Sequence, residues 1–375
     1  MPVRLLGENL VLFKTSRGEL GLVQERCPHR STSLAYGIPD DDGLRCPYHG
    51  WLFSAEGKCL EQPFDDVENP DSTFKDKIRI DAYPVEALGG LIWAYLGPAP
   101  APLLPRWDLL VREDLHRSIG FTQLPCSWLQ CMENSLDPVH FEWPHANLMN
   151  YQAKKQGKQP VMFPARHRKI AFDTFEYGIY KRRLLEGDDP NTSDDWLVGH
   201  PVLFPNTLNV GTSFQIRVPI DDTNTLHILY RTTPKPEDAP AAVEVYTLPY
   251  QHENGRLILE TVINTDMMAW ITQGAITPRN HEHLGVSDRG VILYRQMLSD
   301  AMTAVERGED PPGLVRDPAV NHPWINIERE GVSLSAYNLP GQNRRGNMAM
   351  PQEFAQPRSG LAPAPARAKD AAPVP

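Results

Sequence analysis

The segments Cys27-Pro28-His29-Arg30 and Cys46-Pro47-Tyr48-His49-Gly50-Trp51 each offer one thiol and one imidazole within four residues, and sixteen residues separate His29 from Cys46. Two soft thiolates and two imidazoles carried on two short loops suit a four-ligand metal centre. A structural zinc knuckle uses the same donor set, so residue types alone leave zinc and iron both open. The chain has five cysteines and no secretory signal, which disfavours a disulfide framework. Cys59, Cys126 and Cys131 belong to no such pair and read as small core residues.

Outward from these loops the pattern is all-β. Val3–Val23 alternates short apolar runs with turn residues, and Leu44–Phe53 and Leu91–Leu96 are strand-like, with turns at Gly43, Gly57 and Gly89-Gly90. Pro98, Pro100, Pro102 and Pro105 mark a linker, predicting domains at 1–100 and 101–350. Two domains suit 375 residues better than one. In the second domain, helical spacing covers Cys126–Trp143 and Gly290–Arg307, and strands are predicted at Phe172–Leu185, Thr207–Val218, Thr225–Thr232 and Leu257–Ile263. The expected class is α+β. The Pro/Ala-rich end, 351–375, is expected to be disordered.

With 22% charged and 41% hydrophobic residues, the chain has the composition of a soluble globular protein. A net charge of −10 argues against nucleic acid as the main partner. No apolar run has the length of a membrane span and no signal-peptide core opens the chain, so the expected location is the cytoplasm.

A second constellation is Glu133-Asn-Ser-Leu-Asp137-Pro138-Val-His140-Phe-Glu-Trp-Pro144-His145. Histidines five apart sit roughly 140° apart on a continuous helix and do not share a metal there. Pro138 is expected to kink the helix, and Pro144 to end it near Trp143 so that His145 folds back. By themselves, two histidines beside a carboxylate fit a surface helix end equally well.

Cys-Pro-His-Arg followed by Cys-Pro-Tyr-His-Gly-Trp resembles the signature of Rieske non-haem iron ring-hydroxylating oxygenases, of the phthalate dioxygenase-like kind. The second constellation resembles the Glu-x3-Asp-x2-His-x4-His motif of the same family, and the likeness spans Val3 to about Arg307. The resemblance implies a [2Fe–2S] cluster with Cys27 and Cys46 on one iron and His29 and His49 on the other. It also implies a helix-grip catalytic domain, an antiparallel sheet with flanking helices, holding one Fe(II) on His140, His145 and a carboxylate. Asp266, Glu282, Asp288 and Asp300 are candidates for the third ligand. Asp288, ahead of the long helix, matches the family position best, although it also suits a helix N-terminus. His281 and His283 are expected to be structural.

In that family Asp137 links His49 of one subunit to His140 of the next in a ring-shaped trimer, a conduit and not a ligand. The chain lacks flavin, nicotinamide and plant-type ferredoxin signatures, so its electrons are expected from a separate NAD(P)H-dependent reductase or ferredoxin. The implied reaction uses O₂ to mono- or dihydroxylate an aromatic substrate, or to O-demethylate it. An aromatic acid or diaryl-ether-like compound is the expected substrate. Lys181-Arg182-Arg183 offers cations for an acidic group, or forms a solvated strand face; Trp270–Gly274 resembles the segment before the third ligand in phthalate-type enzymes. Relatives carry several tens of residues more ahead of the first Cys than the 26 present here, so a late start and a shorter member both fit.

Overall fold

The computed structural model describes residues 1–160, 166–238, 242–325 and 327. The predicted tail at 351–375 lies outside them.

The first hundred residues are β-rich, as the alternation predicts. Strands β1 (Pro2–Leu5), β2 (Glu8–Lys14), β3 (Leu20–Gln24), β4 (Ile38–Pro39), β5 (Leu44–Arg45), β6 (Leu52–Phe53), β7 (Cys59–Glu61), β8 (Ala82–Tyr83), β9 (Val85–Leu88) and β10 (Leu91–Ala94) form two four-stranded sheets, β1-β2-β3-β8 and β4-β5-β6-β7, and a β9-β10 hairpin. Val11, Phe13 and Val23 from the first sheet meet Leu34, Leu44, Phe53 and Ile80 in one core that also buries Cys27, Cys46 and Cys59. Burying each such side chain stabilises the fold by about 1.5–3 kcal/mol. The metal-ligand candidates are thus mounted on the small domain's own core.

An eight-stranded sheet dominates the rest: β11 (Leu115–Leu124), β12 (His167–Phe175), β13 (Gly178–Leu185), β14 (His200–Leu203), β15 (Thr207–Val210), β16 (Ser213–Asp221), β17 (Asn224–Pro234) and β18 (Glu244–Thr247), in the order β12-β13-β14-β15-β16-β17-β11-β18. All neighbours are antiparallel except β11 and β18. One face carries Ile119, Tyr180, Phe214, Ile216, Ile228 and Tyr230 into a core of its own. That core also receives Leu88, Leu91 and Trp93 of the β9-β10 hairpin, and the Tyr230 hydroxyl donates to the Gly89 carbonyl at 2.7 Å. The opposite face is covered by helices α1 (Trp128–Ser135), α3 (Val262–Thr272) and α4 (Arg289–Glu306), and α2 (Met149–Lys155) lies between α1 and α3 in the chain.

α1 ends at Ser135, earlier than predicted, because Pro138 has no N–H to bond the Asn134 carbonyl; the Asp137 N–H takes that carbonyl at 3.1 Å, closing a tighter turn. Buried Glu133 anchors α1. Its carboxylate accepts from Arg279 (3.2 and 3.3 Å) and Arg295 (2.7 Å), while Arg295 also pairs with Glu282 (2.7 and 3.0 Å). The network ties α1 to α4 and to the segment between α3 and α4. Glu133→Ala leaves two partly buried guanidinium groups short of a partner and is expected to cost about 2–3 kcal/mol in urea unfolding, with Glu133→Gln costing less.

Candidate metal centres

The two N-terminal loops are built alike. The Cys27 N–H donates to the Thr32 carbonyl (3.0 Å) and the Cys46 N–H to the Trp51 carbonyl (2.8 Å). Four residues after each cysteine the backbone turns left-handed, at Ser31 (φ 57°) and Gly50 (φ 77°). Such angles cost a side chain and are natural for glycine, so the Cys46 loop has the residue its turn requires. Each cysteine is buried and each histidine exposed at the loop tip. The His29 and His49 rings lie 4.4 Å apart between centroids, and His29 stacks flat on Trp51 at 4.6 Å.

Burial first, and the adjacent Cys46 with it, pushes the Cys27 thiol up to about 11. A metal supplies the positive charge that lets such buried sulfurs be thiolates. The two thiols and two imidazoles fit a two-iron cluster with sulfur on one iron and nitrogen on the other. A second group of potential ligands, His140, His145 and Asp266, has its three donor atoms within 4.8 Å of one another.

The second centre is assembled from distant parts of the chain. After Pro138 comes a 3₁₀ turn, Val139–Glu142, then a π-helical turn, Trp143–Leu148, leading into α2. The helix-like path does not end at Trp143, contrary to expectation. The π turn accommodates Pro144 at its start and carries His145, while His140 lies on the 3₁₀ turn before it. Across this change of winding His140 and His145 meet, ring centroids 5.0 Å apart.

Their tautomers follow from their partners. His140 Nδ1 donates to the Asp137 carbonyl, which only accepts. The Thr265 hydroxyl donates to the Val262 carbonyl (2.8 Å), so its oxygen accepts from His145 Nδ1 (2.8 Å). Both Nε2 atoms are left with bare lone pairs, and both face Asp266 Oδ1, at 3.5 Å from His140 and 3.2 Å from His145. That buried oxygen has no hydrogen-bond donor. Three lone-pair donors converging with no proton between them make a site for a cation.

Asp266, not Asp288, therefore completes the group. The Asp288 carboxylate turns back to accept the Gly285 N–H at 2.6 Å in the turn before α4, the helix-start role that was its alternative. Glu282 is held by Arg295, Asp300 accepts from Gln296, and His281 and His283 are exposed away from the group. Asp266 sits on α3, which begins at Val262 inside the segment Leu257–Ile263 predicted as a strand; no strand forms there. Thr261 caps that helix, its hydroxyl oxygen accepting from the Asn264 N–H at 3.2 Å. Thr265 was not anticipated at all. Removing its hydroxyl in Thr265→Val frees the His145 ring, and metal affinity is expected to fall about 10–100-fold in a chelator competition.

Asp137 lies beside the pair. Its Oδ1 accepts the Val139 N–H (2.8 Å) and the His140 N–H (3.3 Å), and Oδ2 is 3.9 Å from His140 Nδ1. It supports His140 and does not face Asp266. Of the basic triplet, Arg182 binds Asp173 and Arg183 binds Asp195 (2.8 Å), so the solvated face holds for neither; Lys181 is buried. Cys126 and Cys131 are buried 3.8 Å apart between α1 and the sheet, and Cys59 lies in the small domain's core.

Comparison with known proteins shows what the chain is similar to. Residues 1–74 match the model of the Rieske [2Fe–2S] domain, and residues 256–326, the stretch bearing Asp266, match the LigXa C-terminal domain like model. The 5,5'-dehydrodivanillate O-demethylase oxygenase subunit of Sphingobium sp. (strain NBRC 103272 / SYK-6) is 44% identical over 337 residues, 88% of this chain and 78% of the relative. The phenoxybenzoate dioxygenase subunit alpha of Ectopseudomonas oleovorans is 32% identical over 344 residues, 83% of this chain and 78% of the relative. In fold, the chain is similar to Pseudomonas putida CBB5 NdmA with caffeine, with TM-score 0.58 and 22% identity over 82% of this chain and 86% of that one. With a Rieske domain at its start and relatives of 44% and 32% identity matched over most of its length, the chain belongs to the oxygenase subunits of the Rieske non-haem iron oxygenases.

Proposed function

We propose that Cys27, His29, Cys46 and His49 hold the [2Fe–2S] cluster, that His140, His145 and Asp266 hold one Fe(II), and that the chain O-demethylates an aromatic methyl ether. The observation that carries this is the convergence of two bare imidazole nitrogens and an undonated carboxylate oxygen on one point. When bound, the iron supplies reductive activation of O₂ with electrons passed from the cluster. Thr265 and the Asp137 carbonyl keep the two histidines in the ligating tautomer. The exposed His29 and His49 present ring edges at the surface, where an electron donor or a neighbouring subunit can reach them.

Ether cleavage is favoured because the 44% identical relative is an O-demethylase over nearly the whole chain. The overall reaction balances as aryl methyl ether, O₂, two electrons and two protons giving phenol, formaldehyde and water. Ring hydroxylation is the second reading, favoured by the dioxygenase relative. The electrons come from a separate NAD(P)H-dependent reductase or ferredoxin, and the working unit is a homotrimer in the cytoplasm in which Asp137 lies between His140 and the next subunit's cluster. The boundary near residue 100 is part of the same reading; the two separate cores support two domains, with the β9-β10 hairpin packed on the second core. Among the described residues no helix is long and apolar enough to cross a membrane.

The test supplies the purified chain with a surrogate reductase, NADH, O₂ and 5,5'-dehydrodivanillate. Formaldehyde and the phenol in equal amounts are expected. A ring diol with no formaldehyde favours the second reading, and NADH-dependent O₂ uptake that never responds to any aromatic compound contradicts both.

A further inference from the structure

Lys181 is the one member of the basic triplet that makes no ion pair with a described residue, and the residue is only 6% exposed. The strand fixes where it faces. On β13, Ile179, Lys181 and Arg183 share a side. Ile179 packs in one cluster with Met132 and Leu136 of the α1 segment. The Arg183 guanidinium lies 4.4 Å over the ring of Phe141, the neighbour of His140. Lys181, between them, faces the space between sheet and helices where the iron ligands sit. The carboxylates whose fields reach it are Asp137 and Asp266, both of that site.

Burying an ammonium without a counter-charge costs several kcal/mol. Arg182 and Arg183 avoid the cost with Asp173 and Asp195; Lys181 does not. We propose that Lys181 is a specificity-determining residue, the cation that receives the carboxylate of an aromatic acid substrate at the iron site. The inference rests on the oxygenase reading and adds the substrate's acidic group and the residue that selects it.

Charges around Lys181 set how its affinity depends on pH. Arg183 on its own strand and Arg217 on β16 disfavour its positive charge, Asp137 and Asp266 favour it, and His200 on β14 is its cross-strand neighbour. Burial dominates and lowers its pKa to about 8. Only the ammonium form attracts a carboxylate, so affinity is full below that value and falls as pH rises through it, by up to about tenfold per unit.

The test is calorimetric binding to the oxidised, metal-loaded chain, which does not turn over without a reductant. The probes are 5,5'-dehydrodivanillate and phenoxybenzoate, each beside its methyl ester. Wild type is expected to prefer the acids. Lys181→Met is expected to weaken the acids about 10–100-fold and the esters by less than about twofold, while Lys181→Arg restores acid binding and removes the fall above pH 8. A merely structural lysine would move acid and ester together. The proposal is overturned if wild type binds no acid, binds esters as well as acids, or if Lys181→Met weakens both alike. Iron content and the reduced-cluster EPR signal of the same samples separate the two levels. If both are present and acids are not selected, Lys181 fails and the oxygenase reading stands; if the metals are missing, the reading fails and takes the proposal with it.

Discussion

Asp266→Ala is expected to lose the mononuclear iron and all turnover while keeping the [2Fe–2S] spectrum. Asp266 is the only anionic donor of the triad; without it two neutral imidazoles face the metal, and iron retention falls by at least about a hundredfold, the upper end of what loss of a mere supporting group costs. The folded chain tolerates the change, because removing a buried carboxylate whose Oδ1 has no hydrogen-bond donor orphans no other donor there. Asp288→Ala is the paired control. Its carboxylate serves the Gly285 N–H, so the cost is about 1 kcal/mol of stability with iron and turnover intact. Iron analysis, EPR of the reduced cluster and product assay read all of this. Loss of iron from the Asp288 variant with retention in the Asp266 variant would reverse the assignment.

The second large effect is expected at Asp137. Its Oδ1 caps the turn that carries His140, and its carbonyl fixes the His140 ring, so backbone and side chain have separate duties. Asp137→Asn keeps an oxygen for the Val139 N–H and leaves the carbonyl in place; iron should stay. What it removes is the negative charge beside His140 that, in the proposed trimer, accepts a hydrogen bond from the neighbouring cluster's histidine. Product formation is therefore expected to fall at least about a hundredfold with three irons per chain still bound. Single-turnover reduction measured by stopped flow separates the steps: the cluster reduces normally and its reoxidation by the iron site stalls. Normal product formation by Asp137→Asn would remove Asp137 from the electron route.

The first site was legible because its four proposed ligands lie within 23 residues on two loops whose turns are local. The second was half legible. His140 and His145 stand in one motif, but their meeting depends on a 3₁₀ turn followed by a π turn, whereas periodicity arguments assume 3.6 residues per turn. The third donor comes 121 residues after His145. Its helix was hidden because Thr261-Val262-Ile263 is β-branched and reads as strand, although Thr261 and Asn264 were a cap signal in plain sight. Asp288 does stand just ahead of a long amphipathic helix, but its carboxylate bonds the Gly285 N–H in the turn before that helix and makes no cap bond to the helix itself. The strand Leu115–Leu124 mixes His, Arg, Ser and Gly with its apolar residues, so it does not announce itself, yet it pairs along ten positions with β17 a hundred residues on. Its stability comes from that non-local ladder and not from propensity.

Everything above turns on one centre of two irons and one of a single iron in the same chain. The most direct measurement is iron and acid-labile sulfide per chain in the anaerobically purified protein. The expected result is three irons and two sulfides. Two irons with two sulfides would leave only an electron carrier, and zinc in place of iron with no sulfide would contradict the oxygenase outright.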